Sequence, residues 1–219
     1  MKLLLTLLSL AALGVLPTAA LSAEKKPMPD PTPAKPVQLE HITMGGGCFW
    51  CMEAVFQRLK GVTKVVSGFS GGSVPNPSYE AVCTGNTGHA EVVQIEFDPA
   101  TLPLEKLLEV FWAAHDPTTL NRQGHDSGTQ YRSVLYYENE QQKAVMEASK
   151  KAAQKDFQDP IVTEIAPFKA FYAADDHHQN YFNDNANRNS YCAIVIRPKL
   201  QKLLKSGIIK EENNIGAAK

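Results

Sequence analysis

The sequence predicts an α/β fold of the α+β kind, a two-layer sandwich in which helices pack on a mixed, largely antiparallel sheet. Short segments whose apolar residues alternate, as in half-buried strands, take turns with longer segments whose apolar residues recur at helical spacing. Their order along the chain is β-α-β-β-α-β-α-β. In addition, 43% hydrophobic and 21% charged residues in a chain of 219 are typical of a globular protein with one sizeable core.

The first half of the pattern contains three strands and one helix. Residues 39–44 form the first predicted strand, which runs into three glycines, and a helix follows over residues 48–59 until Gly61 ends it. Strands over residues 62–69 and 91–97 come next, separated by a loop rich in glycine and proline. This order matches the split β-α-β arrangement, so we expect a ferredoxin-like core.

The second half of the pattern alternates helices and strands. Its predicted elements are a helix over residues 104–114, a strand over 131–137, a long helix over 140–157 and a last strand over 161–165 that resumes near 168–172. No internal repeat is evident, so we expect one domain over residues 39–204. Residues 115–129 and 175–198 carry no predicted regular structure, and long loops inside a compact domain are often functional.

The two ends of the chain differ from this domain. Lys2, an apolar run that ends at Leu16 and a cluster of small residues have the layout of a secretory signal peptide, assigned to residues 1–23. A retained membrane anchor is the alternative, but the run is short for a bilayer span of about 20 residues. Residues 24–38 are expected to be a proline-rich linker and residues 205–219 a flexible tail. Export to the bacterial periplasm is therefore expected.

Charge and cysteine content narrow the possible functions. The formal net charge of −1 provides no basic field for binding nucleic acid. An even number of cysteines, here four, suggests structural disulfides in an exported protein. The core is large enough not to need them, however, and the two-residue spacing of Cys48 and Cys51 is closer to redox chemistry.

The strongest local signal is the glycine turn before Cys48. Three glycines at residues 45–47 let the backbone turn tightly and place Cys48 at a helix N-terminus. There the unpaired N–H groups and the helix dipole favour an anion, so the pKa of the thiol is expected to be lowered. Phe49 and Trp50 beside such a nucleophile indicate an apolar pocket. The alternative, core aromatics beside a structural cysteine pair, does not explain the glycines.

The same stretch resembles the G-C-F-W signature of the peptide methionine sulfoxide reductase A family. Further blocks that resemble the family lie at residues 79–91, 115–133 and 175–179. The resemblance implies that the Cys48 thiolate attacks the sulfur of methionine sulfoxide, of the S epimer, in oxidised proteins and in free methionine. It also implies that Glu91, Tyr79 and Tyr131 supply the proton that the departing oxygen needs.

The resemblance extends to the binding of substrate. It implies that Phe49 and Trp50 contact the substrate methyl group and that Asp126 accepts a hydrogen bond from the substrate backbone. Tyr181 and Tyr191 are expected to close the rim of the pocket. His178 matches a family histidine that shapes the site, and Cys83 is expected to be buried and unreactive.

The reaction leaves a sulfenic acid on Cys48, which a second thiol must convert to a disulfide. Cys51 lies one helical turn away, where the family commonly has glycine. Cys192, in a polar tail expected to be mobile and exposed, resembles the position of a family resolving cysteine. Either Cys51 or Cys192 can therefore be the resolving thiol. We favour a relay in which Cys48 and Cys51 form the first disulfide and Cys192 acts as an alternative or second carrier.

The family resemblance also implies the partners of the protein. A thioredoxin-like dithiol is expected to reduce the disulfide of the enzyme. The protein is predicted to be a monomer. No cofactor or metal is expected, since no nucleotide-binding or metal-ligand motif is evident. Two other classes compete: a thioredoxin-like disulfide oxidoreductase, and a metal-binding or structural Cys/His domain. The first does not need Glu91 and Asp126, and the second lacks another closely spaced ligand pair.

Overall fold

A computed structural model describes residues 38–210 of the protein. All of these residues belong to a single compact unit of the chain. The predicted signal peptide, nearly all of the predicted linker and the last nine residues of the predicted tail lie outside the described residues.

Eight strands and six α-helices follow one another in the described part of the chain. In order they are β1 (Glu40–Gly46), α1 (Phe49–Phe56), β2 (Val62–Ser70), α2 (Tyr79–Cys83), β3 (Ala90–Phe97), α3 (Leu104–Ala114), β4 (Arg122–Gln123), β5 (Asp126–Ser127), β6 (Ser133–Tyr137), α4 (Glu140–Ala153), β7 (Glu164–Pro167), β8 (Phe171–Ala173), α5 (Tyr181–Asn185) and α6 (Arg197–Lys205). Short 3-10 helices cover Thr129–Tyr131, Gln154–Asp156 and Asp176–His178, and a π-helical turn covers Cys192–Ile196.

Six strands form one mixed sheet in the order β7-β6-β1-β3-β2-β8, and β4 and β5 form a separate hairpin. Only the pair β6–β7 in the large sheet is parallel; the other four pairs are antiparallel. The inner order β6-β1-β3-β2, with α1 between β1 and β2, is that of a ferredoxin-like core. The predicted fold class is confirmed.

The sheet must be strongly curled, because its two edge strands are joined by a very short connection. Only three residues separate Pro167 at the end of β7 from Phe171 at the start of β8, a reach of about 15 Å. Six flat strands would span about 24 Å at normal spacing. The sequence predicted one last strand with an interruption, whereas the structure has two strands on opposite edges.

Alternation along the strands divides the buried residues between two faces of the sheet. On β3, Val93, Ile95 and Phe97 join the main core with α1 and α3, while Val92 faces a smaller cluster inside the curl with Val134. The same alternation puts Glu91 on the face that α1 covers, where it is 1% exposed.

The region from residue 175 to 198 contains several short helices joined by turns, which corrects the expectation that it has no regular structure. Proline normally interrupts a helix, and Pro198 lies in the first turn of α6, directly after a π-helical turn. The wider π-helical turn before it, Cys192–Ile196, connects this helix to the preceding residues. Ile209, beyond the predicted domain end at residue 204, is buried.

The described residues contain no helix that is long and apolar enough to cross a membrane.

Replacing Gly47 by alanine is expected to destabilise the fold by about 3 kcal/mol, from backbone strain together with overpacking. Gly47 has a φ of +94°, and a Cβ atom there would lie 2.6 Å from the side chain of Gln123. Gly124→Ala is the matched control, because its φ is +60° and no atom lies within 4 Å of the added Cβ. This variant should lose about 1 kcal/mol of the free energy of unfolding. Urea unfolding measures both, and equal losses would contradict the steric argument.

Candidate active site

Cys48 lies at the junction between the central strand β1 and the helix α1. The last β1 residue, Gly46, pairs with Ser133 on β6, and Gly47 then turns the chain. Cys48 is the N-cap of α1, with its carbonyl oxygen 3.1 Å from the amide nitrogen of Cys51, which donates to it. The side chain of Cys48 is buried at 7% exposure. The predicted position at a helix N-terminus is therefore present.

Glu91 reaches the start of the same helix from strand β3. Its Oε2 accepts a hydrogen bond of 3.0 Å from the backbone N–H of Phe49. Burial raises the pKa of Glu91 to about 8 against the opposing effect of this hydrogen bond, and the charges of Asp126 and Cys51 raise it further. At neutral pH the carboxyl group therefore carries a proton that it can donate.

Tyr79 and Tyr131 lie near enough to Glu91 for its charge to act on both. Tyr79 begins α2, whose N-cap Ser78 accepts a hydrogen bond from the Ala81 amide. Burial raises the pKa of both tyrosine hydroxyls, and the charge of Glu91 raises them further. Both phenols remain protonated at physiological pH, so three proton-carrying groups converge on one place.

An aromatic pocket lies beside these groups. The Trp50 ring stacks on that of Tyr181, with 3.6 Å between the centroids and 6° between the planes. His178 lies 4.4 Å from Tyr79 and 5.5 Å from Phe49 between ring centroids. Burial lowers the pKa of His178, so its ring is neutral. Phe49 and Trp50, the residues predicted to bind a methyl group, therefore lie in one aromatic cluster.

The electrostatics of the cysteine pair differ from the sequence-based expectation. Burial raises the pKa of Cys48 well above its ordinary value, and the neighbouring Cys51 and Glu91 raise it further. The expected lowering by the helix N-terminus is wrong for the substrate-free protein, because desolvation outweighs it. A hydrogen bond from Cys48 instead lowers the pKa of Cys51 to about 7. The pair thus loses its first proton near neutral pH.

Asp126 and Tyr191 form a short polar chain that ends at the cysteine pair. The Tyr191 hydroxyl donates to Asp126 Oδ2 over 2.6 Å and lies 3.8 Å from the Cys51 sulfur. Asp126 belongs to the hairpin strand β5, which therefore borders the pocket. Tyr191 also meets the Trp50 ring edge-on, with 6.1 Å between centroids. The structure brings both predicted rim residues, Tyr181 and Tyr191, to Trp50.

The two remaining cysteines lie in surroundings opposite to those expected. Cys192 is not in an exposed, mobile tail: it is completely buried in the π-helical turn, on one face with Ile196 and Leu200. Cys83 is exposed rather than buried, because in the five-residue helix α2 only Val82 is buried.

Two polar side chains that the sequence analysis passed over hold residues 179–181 against the core. Gln179 donates to the carbonyl oxygen of Ser67 and accepts from its N–H, each over 2.9 Å. Glu53 accepts from the backbone N–H groups of Asn180 and Tyr181. A signal for Glu53 was available, since it is a charged residue within an otherwise apolar helical segment. Within residues 38–210 no group of three or more metal-ligating side chains is present.

Sequence comparisons relate the chain to one family. The family model described as peptide methionine sulfoxide reductase matches residues 40–212. A protein named peptide methionine sulfoxide reductase MsrA from Leptospira borgpetersenii is 51% identical over 177 residues, which cover 80% of this chain and 100% of that protein. One of the same name from Sulfolobus acidocaldarius is 52% identical over 168 residues, with 77% and 95% covered.

Solved structures agree with the sequence comparisons. The reduced form of Mxr1 from Saccharomyces cerevisiae is similar with a TM-score of 0.67 and 34% identity, over 71% of this chain and 91% of that chain. Methionine sulfoxide reductase A of Corynebacterium diphtheriae is similar with a TM-score of 0.62 and 35% identity, over 69% of this chain and 77% of that one.

Proposed function

The chain belongs to the peptide methionine sulfoxide reductase family, and from this premise we propose how its residues divide the reaction. It is a peptide-methionine (S)-S-oxide reductase, which returns methionine sulfoxide in proteins and as the free amino acid to methionine and so repairs oxidative damage. The observation that carries the assignment of roles is the buried Glu91 carboxyl, held by the Phe49 amide next to Cys48.

Cys48 is the nucleophile in this proposal. Cys51, which has the lower pKa of the pair, takes the thiol proton of Cys48 as the Cys48 sulfur attacks the sulfur of the sulfoxide. Negative charge then builds on the sulfoxide oxygen. Glu91 delivers its proton to that oxygen, and the hydroxyl groups of Tyr79 and Tyr131 donate hydrogen bonds to it. Collapse transfers the oxygen to Cys48 as sulfenic acid and releases methionine, which gains the two electrons that Cys48 loses.

The aromatic pocket selects the substrate. Phe49 and Trp50 contact the methyl group on the sulfoxide sulfur, since an apolar wall favours a methyl group over a charged substituent. Asp126 accepts a hydrogen bond from the substrate backbone at the pocket edge. Tyr181 and Tyr191 close the rim by their contacts with Trp50.

Resolution begins at Cys51 in this scheme. Cys51 is hydrogen-bonded to Cys48 and has the lower pKa of the two, so its sulfur attacks the sulfenic acid and water leaves as the disulfide forms. Cys192 is the second carrier. It is buried, but it lies in a π-helical turn, a type of local irregularity that is frequent at functional sites. A thioredoxin-like dithiol then reduces the last disulfide.

We also propose that the protein acts as a monomer after export to the periplasm. The signal-peptide pattern of residues 1–23 and the proline-rich segment after it support export. An enzyme in an oxidising compartment depends on a dedicated dithiol to stay reduced, and this agrees with the relay of thiols.

The single-turnover rate of methionine release should be bell-shaped against pH. It rises as the cysteine pair ionises near pH 7 and falls as Glu91 loses its proton near pH 8. Glu91→Gln should remove the alkaline fall and raise the barrier by about 2–4 kcal/mol, with little change in substrate affinity. Rapid-quench kinetics measure the rate, and Cys48→Ser is the inactive control. A nearly normal rate in Glu91→Gln would assign the proton to the tyrosines.

The two candidate resolving thiols should fail at different steps. After one equivalent of methionine sulfoxide, Cys51→Ser should accumulate sulfenic acid and form an intramolecular disulfide slowly. Cys192→Ser should form the first disulfide normally but should not be recycled by a thioredoxin-type reductant. Mass spectrometry of trapped samples identifies each bond, and Cys83→Ser should change neither step. A full disulfide formed at normal speed in Cys51→Ser would exclude Cys51 as the first resolver.

Export should leave a shortened chain in the periplasm. When the full-length protein is produced in a Gram-negative bacterium, the periplasmic form is expected to begin after Ala20 or Ala23, which N-terminal sequencing shows. Leu8→Lys, which places a charge in the apolar run, should keep the uncleaved chain in the cytoplasmic fraction. An uncleaved wild-type chain in the cytoplasm would refute the localisation.

A further inference from the structure

Glu53 is a buried charged residue for which the proposed reaction has no use. It lies on α1, three residues after Trp50, and is 1% exposed. An unpaired carboxylate is costly to bury, so its position calls for partners that stabilise the negative charge. Its carboxylate faces the beginning of α5 instead of the reacting sulfur atoms.

Glu53 accepts hydrogen bonds from two consecutive backbone amides. Oε1 accepts from the N–H of Asn180 over 2.8 Å, and Oε2 accepts from the N–H of Tyr181 over 2.9 Å. Asn180 has a left-handed backbone, with a φ of +52°, and this conformation turns both N–H groups toward α1. Burial raises the pKa of Glu53 to about 7, whereas the two amides lower it and the charge of Asp184 raises it.

The two segments that Glu53 joins also contact each other at the aromatic pocket. Trp50 and Glu53 are one turn apart on α1, so they share a face of the helix, and the Tyr181 backbone that Glu53 holds carries the ring that stacks on Trp50. We propose that Glu53 is a positioning residue that fixes the Tyr181 ring over Trp50 and thereby sets the wall against which the substrate methyl group binds, an inference that rests on the proposed function.

Gln57 also lies between α1 and α5, and its contacts can be compared with those of Glu53. One turn further along α1, it accepts a hydrogen bond of 3.0 Å from the side chain of Asn183. It also donates to the Asn180 side chain, but no hydrogen bond joins it to the amides of Asn180 and Tyr181 in the described structure. A general loosening of α5 therefore removes the contacts of Gln57, whereas the loss of Glu53 releases the N–H groups of Asn180 and Tyr181.

The test uses kinetics and the fluorescence of Trp50 in the full chain. Trp112→Phe leaves Trp50 as the single tryptophan. In that background Glu53→Gln replaces one acceptor by a donor, so KM for methionine sulfoxide should rise about tenfold, as expected for the loss of a charge-assisted hydrogen bond. The single-turnover rate at saturation should stay within about twofold. Trp50 emission should shift to longer wavelength, since its ring becomes more exposed.

A double-variant comparison shows whether Glu53 acts through Tyr181. Tyr181→Ala should raise KM by itself, and adding Glu53→Gln should raise it no further. Gln57→Ala should leave both KM and the emission wavelength close to those of the background protein. Multiplying effects in the double variant, or a lower saturated rate at unchanged KM, would overturn the proposal.

Two further measurements keep the outcome decisive. Glu53→Asp keeps the charge but cannot reach both amides, so its KM and emission wavelength should lie between those of the background protein and those of Glu53→Gln. A KM and an emission wavelength equal to those of the background protein would refute the two-amide contact. This outcome can be read even if Glu53→Gln fails to fold. The emission shift is read without substrate. A protein that did not reduce methionine sulfoxide would therefore refute the proposed function, while an unshifted emission would refute the positioning role.

Discussion

A hydrogen bond of 3.0 Å joins the Phe49 amide to the Glu91 carboxyl, and the geometry of the whole site depends on it. It links the central strand β3, which carries the proposed acid, to the first turn of α1, which follows the proposed nucleophile Cys48. Moving either element would separate the proton donor from the sulfur that receives the substrate. Because an amide at a helix start lacks an intrahelical partner, the contact also satisfies a polar group that would otherwise be buried alone.

Burial of the site determines which of its groups are charged. Desolvation raises the pKa of Glu91 and that of Cys48, so the acid keeps its proton and the nucleophile is neutral when no substrate is bound. Cys51 adds to the second effect, but its own pKa is lowered to about 7, so the pair loses its first proton near neutral pH. In the proposed scheme Cys51 therefore contributes to the ionisation of the pair as well as to resolution.

The pocket is completed by a part of the chain that is distant in sequence. Residues 175–205 are held to the core by polar contacts of Gln179 and Glu53 and by a buried face that contains Cys192. These contacts bring the Tyr181 ring to Trp50 and the Tyr191 hydroxyl to Asp126. In the proposed scheme, the segment that carries Cys192, the second carrier thiol, also forms a wall of the substrate pocket, so opening it to release Cys192 would disturb substrate binding at the same time.

Periodicity and local signals in the sequence were sufficient to predict the ferredoxin-like core and the position of Cys48 at a helix N-terminus. Strand alternation and helix stripes are local properties, and the glycines before Cys48 need only the neighbouring residues to be interpreted. The role expected of Glu91 came from the family resemblance, since a single glutamate on a strand is usually exposed to solvent. Only the tertiary structure decided that Glu91 and Cys192 are buried, that Cys83 is exposed and that Glu53 holds Tyr181. Burial and pKa depend on which distant segments cover a side chain, and the spacing of residues along the chain does not contain that information.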